Sequence, residues 1–114
     1  MTRDFFAGDT VKIRIYLKDK NGNPISVDGF EFVVTMKKRP TDPDEEAVVQ
    51  KIINATDNPD DPQGFTEIVL EAYETRLIPA GEYFYDVQMK SDTGDVKTIL
   101  YGRVRVKQDV THRT

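Results

Sequence analysis

The residues best placed to do chemistry in this sequence are three aspartates in one loop-forming stretch. Asp57, Asp60 and Asp61 lie close together and have backbone carbonyls nearby. Carboxylate and carbonyl oxygens on a flexible loop are the hard ligands that Ca²⁺ takes. The spacing of an EF-hand is missing, and two prolines in the same stretch restrict its geometry. These aspartates are therefore a calcium candidate, with a solvated turn as the favoured alternative.

Residues for the common catalytic mechanisms are scarce. The chain has no cysteine, and its one histidine is His112, close to the end of the sequence. A serine–histidine–aspartate triad, a thiol nucleophile or a histidine-rich metal site therefore lacks a credible member. No glycine-rich phosphate loop is present. We expect no catalytic residue, no cofactor and no enzymatic activity.

The charge balance limits the classes of partner. The formal net charge is −4, which argues against binding nucleic acid through its phosphates. The start of the sequence lacks a secretory-signal pattern, and no apolar run is long enough to cross a membrane. We therefore expect neither nucleic acid nor a membrane as a partner.

The elements that must position any site are strands, because the dominant hydrophobic period is two. In residues 82–90, for example, alternate side chains from Tyr83 to Met89 are apolar, which predicts one buried and one exposed face. Six segments are predicted as strands: 9–18, 30–36, 47–53, 65–72, 82–90 and 96–107. A helical turn is expected within 73–78, and a helix over 45–51 is the alternative to the third strand. Gly102 suggests a bulge or a close backbone approach in the last strand.

Short strands separated by turn signals are typical of a sandwich. We predict an all-β fold, an antiparallel immunoglobulin-like β-sandwich of about seven strands. One domain is expected over residues 1–108, with a flexible tail over 109–114.

The segment 77–87 contains a Gly-x-Tyr element, formed by Gly81, Glu82 and Tyr83. In immunoglobulin-like domains such a tyrosine begins the next-to-last strand, and its hydroxyl bonds back to the preceding connection. We therefore expect Gly81 and Tyr83 to form this tyrosine corner. The alternative is that Tyr83 only packs its ring.

Several apolar side chains are expected to point outward. Phe5 and Phe6 are adjacent, so one of them must face away from the core if they lie in a strand. Because successive residues of a strand point to opposite faces, Phe84, Ile99 and Tyr101 are expected on the face opposite to the inward residues of their strands. Outward aromatic residues on a sandwich mark a contact surface, although scattered apolar residues are also normal on protein surfaces. The expected partner-contact residues are these five.

A series of short segments, spread over nearly the whole chain, carries a resemblance to a known family. They are Gly8-Asp9 before the first alternating strand, the turn at 19–25, and the stretches 36–38, 47–51, 80–88, 94–102 and 109–111. In this order they resemble a family of small immunoglobulin-like domains of tailed bacteriophages and prophages, which occur in baseplate, tail and fibre-associated virion proteins.

The resemblance implies a non-enzymatic virion structural or adaptor protein that acts by protein–protein contacts. It implies other virion proteins as partners, a homo-oligomer or a domain docked on a larger assembly, and assembly in the cytoplasm of a bacterial host. The alternative is a bacterial immunoglobulin-like adhesion or carbohydrate-binding module. The absence of tryptophan and of a secretory pattern counts against that alternative.

Overall fold

The computed structural model describes residues 2–55, 64–108 and 110. Seven strands form within them: β1 (Thr2–Phe6), β2 (Val11–Tyr16), β3 (Glu31–Lys37), β4 (Val49–Asn54), β5 (Phe65–Leu70), β6 (Gly81–Lys90) and β7 (Val96–Lys107). One short helix, α1 (Ala72–Thr75), connects β5 to β6, and a 3-10 turn at Asp44–Glu46 precedes β4. The all-β prediction is confirmed, and the helical turn lies inside the connection where it was expected.

The strands form two sheets. One has five strands in the order β1-β7-β6-β3-β4, and the other pairs β2 with β5. β1 runs parallel to β7, with Phe5 opposite Val106, so the larger sheet is mixed and the prediction of a purely antiparallel fold is wrong at this pair. The chain leaves β1 through a bend at Gly8, whose φ is 92°, and enters β2 in the other sheet. β1 is therefore paired with the last strand instead of with its neighbour in sequence.

Both sheets contribute to one hydrophobic core. Alternate side chains of β2, β3, β5, β6 and β7 are buried in it, as the period of two predicted. The core residues on these strands are Ile13, Ile15, Phe32, Val34, Met36, Ile68, Leu70, Tyr83, Val87, Val104 and Val106.

The pairing of β6 with β7 contains one irregularity. Val87 lies opposite Leu100, whereas Gln88 lies opposite Thr98, so Ile99 is an extra residue in β7. A bulge of this kind interrupts the strict alternation of a strand, and both Ile99 and Leu100 pack against the core. The predicted outward orientation of Ile99 is therefore wrong. The bulge is not at Gly102, which pairs in regular register with Tyr85.

The bend between β1 and β2 is held by Thr75, at the end of α1. Its side chain is fully buried, with 0% of its surface exposed. The hydroxyl donates to the carbonyl oxygen of Asp9 at 2.6 Å and accepts from the amide of Gly8 at 3.1 Å. One side chain thus satisfies two backbone groups at the point where the chain changes sheets.

Candidate protein-contact face

The surface of the five-stranded sheet that points away from the core is called here the outer face. Tyr101 on β7 and Ile52 on β4 are highly exposed apolar residues of this face, with 84% and 58% of their surfaces accessible. Phe84 on β6 is 36% exposed. The solvent side of a sheet is ordinarily polar, so exposed apolar side chains on several of its strands are a feature to explain.

The register groups these residues into two pairs. Val33 lies directly opposite Ile52 on β4, and side chains in such positions are in contact range. Tyr101 lies opposite Asp86, which makes Phe84 its diagonal neighbour two positions away. The outer face therefore carries an aliphatic pair toward one edge and an aromatic pair toward the other.

Asp86 lies between the two pairs, opposite Thr35 on β3 as well as Tyr101. Partial burial raises the pKa of the Asp86 carboxyl, and the charge of Asp44 raises it further, while Lys37 has the opposing effect. A partly desolvated carboxyl in the middle of this face is a hydrogen-bonding group that a partner can reach.

Three basic residues of β7 contact neighbours on this face. The guanidinium of Arg105 donates to Glu82 at 2.8 Å, and this hydrogen bond and the charge of Arg105 lower the pKa of Glu82. The guanidinium carbon of Arg103 lies 5.5 Å from the ring centre of Phe84, and the ammonium of Lys107 lies 5.7 Å from that of Phe6. These distances are within the range of cation–π contacts.

Three of the five predicted contact residues lie on the outer face: Phe6, Phe84 and Tyr101. Phe5 has the opposite orientation and packs against the core, as does Ile99. Sequence reasoning missed Ile52 and its neighbour Val33. The signal was the adjacency of Ile52 and Ile53, because one of two neighbouring strand residues must point outward.

Tyr83 lies at the start of β6, below this face. Only 2% of its surface is exposed, and its hydroxyl donates to the carbonyl oxygen of Pro79 at 2.6 Å. Burial raises the pKa of the Tyr83 hydroxyl. Gly81 has a φ of 153°, which residues with a side chain rarely adopt. The hydrogen bond from Tyr83 to Pro79 is of the kind that a tyrosine corner requires.

The calcium candidates Asp57, Asp60 and Asp61 lie outside the described residues. Within the described ranges, no group of three acidic or histidine side chains is arranged to hold a metal ion. The same part of the chain contains no helix with the length and apolarity needed to span a bilayer.

Comparison with known proteins adds no relative. No protein-family model matches the chain, and a search of curated proteins found no match either. The features that bear on function are therefore the outer face and the sequence resemblance.

Proposed function

We propose that this protein is a non-enzymatic structural or adaptor protein of a tailed-phage particle, in the tail, the baseplate or a fibre-associated position. It works by packing the outer face against another virion protein. The observation that carries the contact is the exposure of Tyr101 and Ile52 on one face of a five-stranded sheet. The assignment to a phage particle rests on the sequence resemblance.

The composition of the outer face supports a protein partner. Aromatic residues and arginine are enriched at protein interfaces and at their energetic centres. The guanidinium of Arg103 lies over the ring of Phe84, and the register makes Tyr101 the diagonal neighbour of Phe84, so an arginine and two aromatic residues are grouped on this face. The Arg105–Glu82 pair, at 2.8 Å, is suited to the polar rim that surrounds such a centre.

We also propose that the two sheets form an immunoglobulin-like sandwich. The order β7-β6-β3-β4 matches the G-F-C-C′ order of variable-type domains, and the β2–β5 pair matches their B and E strands. The helical turn in the connection to β6, and the hydrogen bond from Tyr83 to Pro79, support the same assignment.

Two observations test the phage assignment. The gene should lie among genes for tail proteins, and mass spectrometry should detect the chain in purified particles. A gene within a surface or secretion operon, together with glycan binding by a monomeric protein, would favour the adhesion or carbohydrate-binding alternative.

A further inference from the structure

An open apolar groove lies between the two sheets. Its volume is about 280 Å³, whereas protein interiors are close-packed and leave few voids larger than a water molecule. An apolar cavity of roughly 150 Å³ holds a benzene-sized molecule, so this groove has room for more than one large side chain. Its lining includes Phe5, Val11, Ile13, Met36, Tyr85 and Val104. The acidic Asp4 is also part of the lining, and its carboxylate lies 3.5 Å from the ammonium of Lys107.

The groove is bordered by β2, one edge of which has no neighbour among the described strands. The amide of Leu17 donates to the carbonyl oxygen of Gly64 at 2.7 Å. This hydrogen bond continues the register of the β2–β5 pair, in which Val11 lies opposite Leu70. In an antiparallel pair, hydrogen-bonded and non-hydrogen-bonded positions alternate. The backbone N–H and C=O groups of Lys12, Arg14 and Tyr16 therefore point away from β5. Such a row is a template for another strand.

The corresponding edge of β5 is protected. Val69 lies opposite Lys12, so its carbonyl also points away from the strand pair. The ammonium of Lys51, on β4, donates to this carbonyl at 2.6 Å and to Glu74 at 2.8 Å. An inward-pointing charge on an edge strand is a known way to block strand addition. Within the described chain, this contact blocks the edge of β5 and nothing equivalent blocks the edge of β2.

The same contact shows how the sheets overlap. Because Lys51 brings β5 beside β4, β2 lies toward the side of β7 and β1. The larger sheet continues past β2 on that side, where Phe5 and Val104 line the groove. A strand added to β2 would lie over these residues and direct alternate side chains into the groove.

The charged side chains beside the free edge of β2 indicate which residues of an added strand would face the solvent. Lys12 and Arg14 are exposed on the solvent side of β2, and Arg14 contacts Glu67 at 3.2 Å. Opposite charges on neighbouring strands are favourable, and like charges are unfavourable. We propose that the free edge of β2 accepts an extended segment of another protein that alternates apolar and acidic residues. This surface is separate from the outer face, so failure of either proposal leaves the other standing.

The test uses an acetylated and amidated octapeptide that alternates valine and glutamate, added to isotope-labelled protein. Nuclear magnetic resonance should show slower hydrogen exchange at the amides of Lys12 and Arg14. A peptide that alternates valine and lysine should bind about tenfold more weakly, because repulsion replaces attraction at several positions.

Arg14→Pro removes one edge N–H and should weaken binding by about tenfold, while the matched control Arg14→Ala keeps that N–H and should bind within about threefold of the wild type. Two further peptides, N-methylated on every valine or on every glutamate, test the same hydrogen bonds without changing the protein. One of the two should lose binding.

Three results would overturn the proposal. In the first, the valine–glutamate peptide fails to protect these amides at millimolar concentration. In the second, both N-methylated peptides bind as well as the parent peptide. In the third, concentrated protein alone protects the same amides, which would identify a second copy of this chain as the occupant.

Discussion

The ammonium nitrogen of Lys51 lies 2.6 Å from the carbonyl oxygen of Val69, on a strand of the other sheet. The same ammonium lies 2.8 Å from the carboxylate of Glu74, so one lysine connects β4, β5 and α1. A charged side chain that points inward from an edge strand is costly unless its partners are in place. This lysine therefore fixes the position of the smaller sheet against the larger one.

Lys51→Met should lower the free energy of unfolding by about 1–2 kcal/mol at neutral pH, because the Val69 carbonyl loses a charged donor. Urea denaturation measures the change. Lys12→Met is the matched control on an exposed position and should change stability by less than about 0.5 kcal/mol. A Lys51→Met protein as stable as the control would contradict the role given to this contact.

The contribution of Lys51 should depend on pH. Hydrogen bonds from Lys51 and from the backbone of Glu71 lower the pKa of Glu74 below its ordinary 4.5. A carboxyl with a lowered pKa in the folded state adds stability above its unfolded pKa, and that stability is lost as the pH falls through the folded value. The stability difference between wild type and Lys51→Met should shrink from about pH 5 to about pH 3. An equal difference at both pH values would exclude the charged pair as its source.

Thr75→Val keeps the side-chain volume nearly unchanged but removes the hydroxyl. It should destabilise the protein by about 2 kcal/mol, since the amide of Gly8 and the carbonyl of Asp9 would lose their buried partner. Thr75→Ser keeps the hydroxyl and should cost about half as much. Thermal and urea unfolding of the two variants compare them directly. If valine is tolerated better than serine, the hydroxyl does not hold the bend between β1 and β2.

Tyr83→Phe should cost about 1 kcal/mol through loss of the hydrogen bond to Pro79, whereas Tyr16→Phe, on an exposed ring, should have almost no effect. Burial raises the pKa of Tyr83 above 10.0, so its stabilising effect is complete below that pH and is lost as the pH rises through the raised value. Unfolding measured in alkaline buffer should therefore show a less steep loss of stability in Tyr83→Phe than in the wild type. Identical alkaline profiles would speak against a buried, hydrogen-bonded hydroxyl.

The bulge in β7 predicts opposite results for two residues that are two positions apart. Ile99→Ser should lower stability by about 1–2 kcal/mol because Ile99 packs against the core. Tyr101→Ser and Ile52→Ser, on the outer face, should each stay within about 0.5 kcal/mol of the wild type. Circular dichroism and urea unfolding distinguish these outcomes. An Ile99→Ser protein as stable as Tyr101→Ser would place Ile99 on the surface.

The elements that sequence predicted well are those whose signal is local. Alternation in 82–90 identified β6 and its inward side, because a strand with one buried face must alternate. β1 was missed because it has only five residues, two of them adjacent phenylalanines, and its partner comes from the other end of the chain. Hydrophobic periodicity carries no information about which strand will be the neighbour or about its direction.

Prediction of the candidate site failed for a similar reason. One extra residue in β7 moved Ile99 from the expected outer side to the core, and a one-residue shift reverses every side chain beyond it. Ile52 was overlooked because Lys51, a partly buried lysine, lies on the inward side of β4 between Val49 and Ile53, which obscures the alternation. The contact with Val69 that makes this inward orientation of Lys51 favourable joins two different sheets.

The central claim is that the outer face contacts another virion protein, and photo-crosslinking in assembled particles tests it most directly. Tyr101→p-benzoylphenylalanine places a photoreactive group on the outer face, and the same substitution at Tyr73, an exposed tyrosine on α1, is the matched control. After irradiation of purified particles, we predict that position 101 crosslinks to a second virion protein and that position 73 does not. Absence of the chain from purified particles, or equal crosslinking at the two positions, would contradict the account.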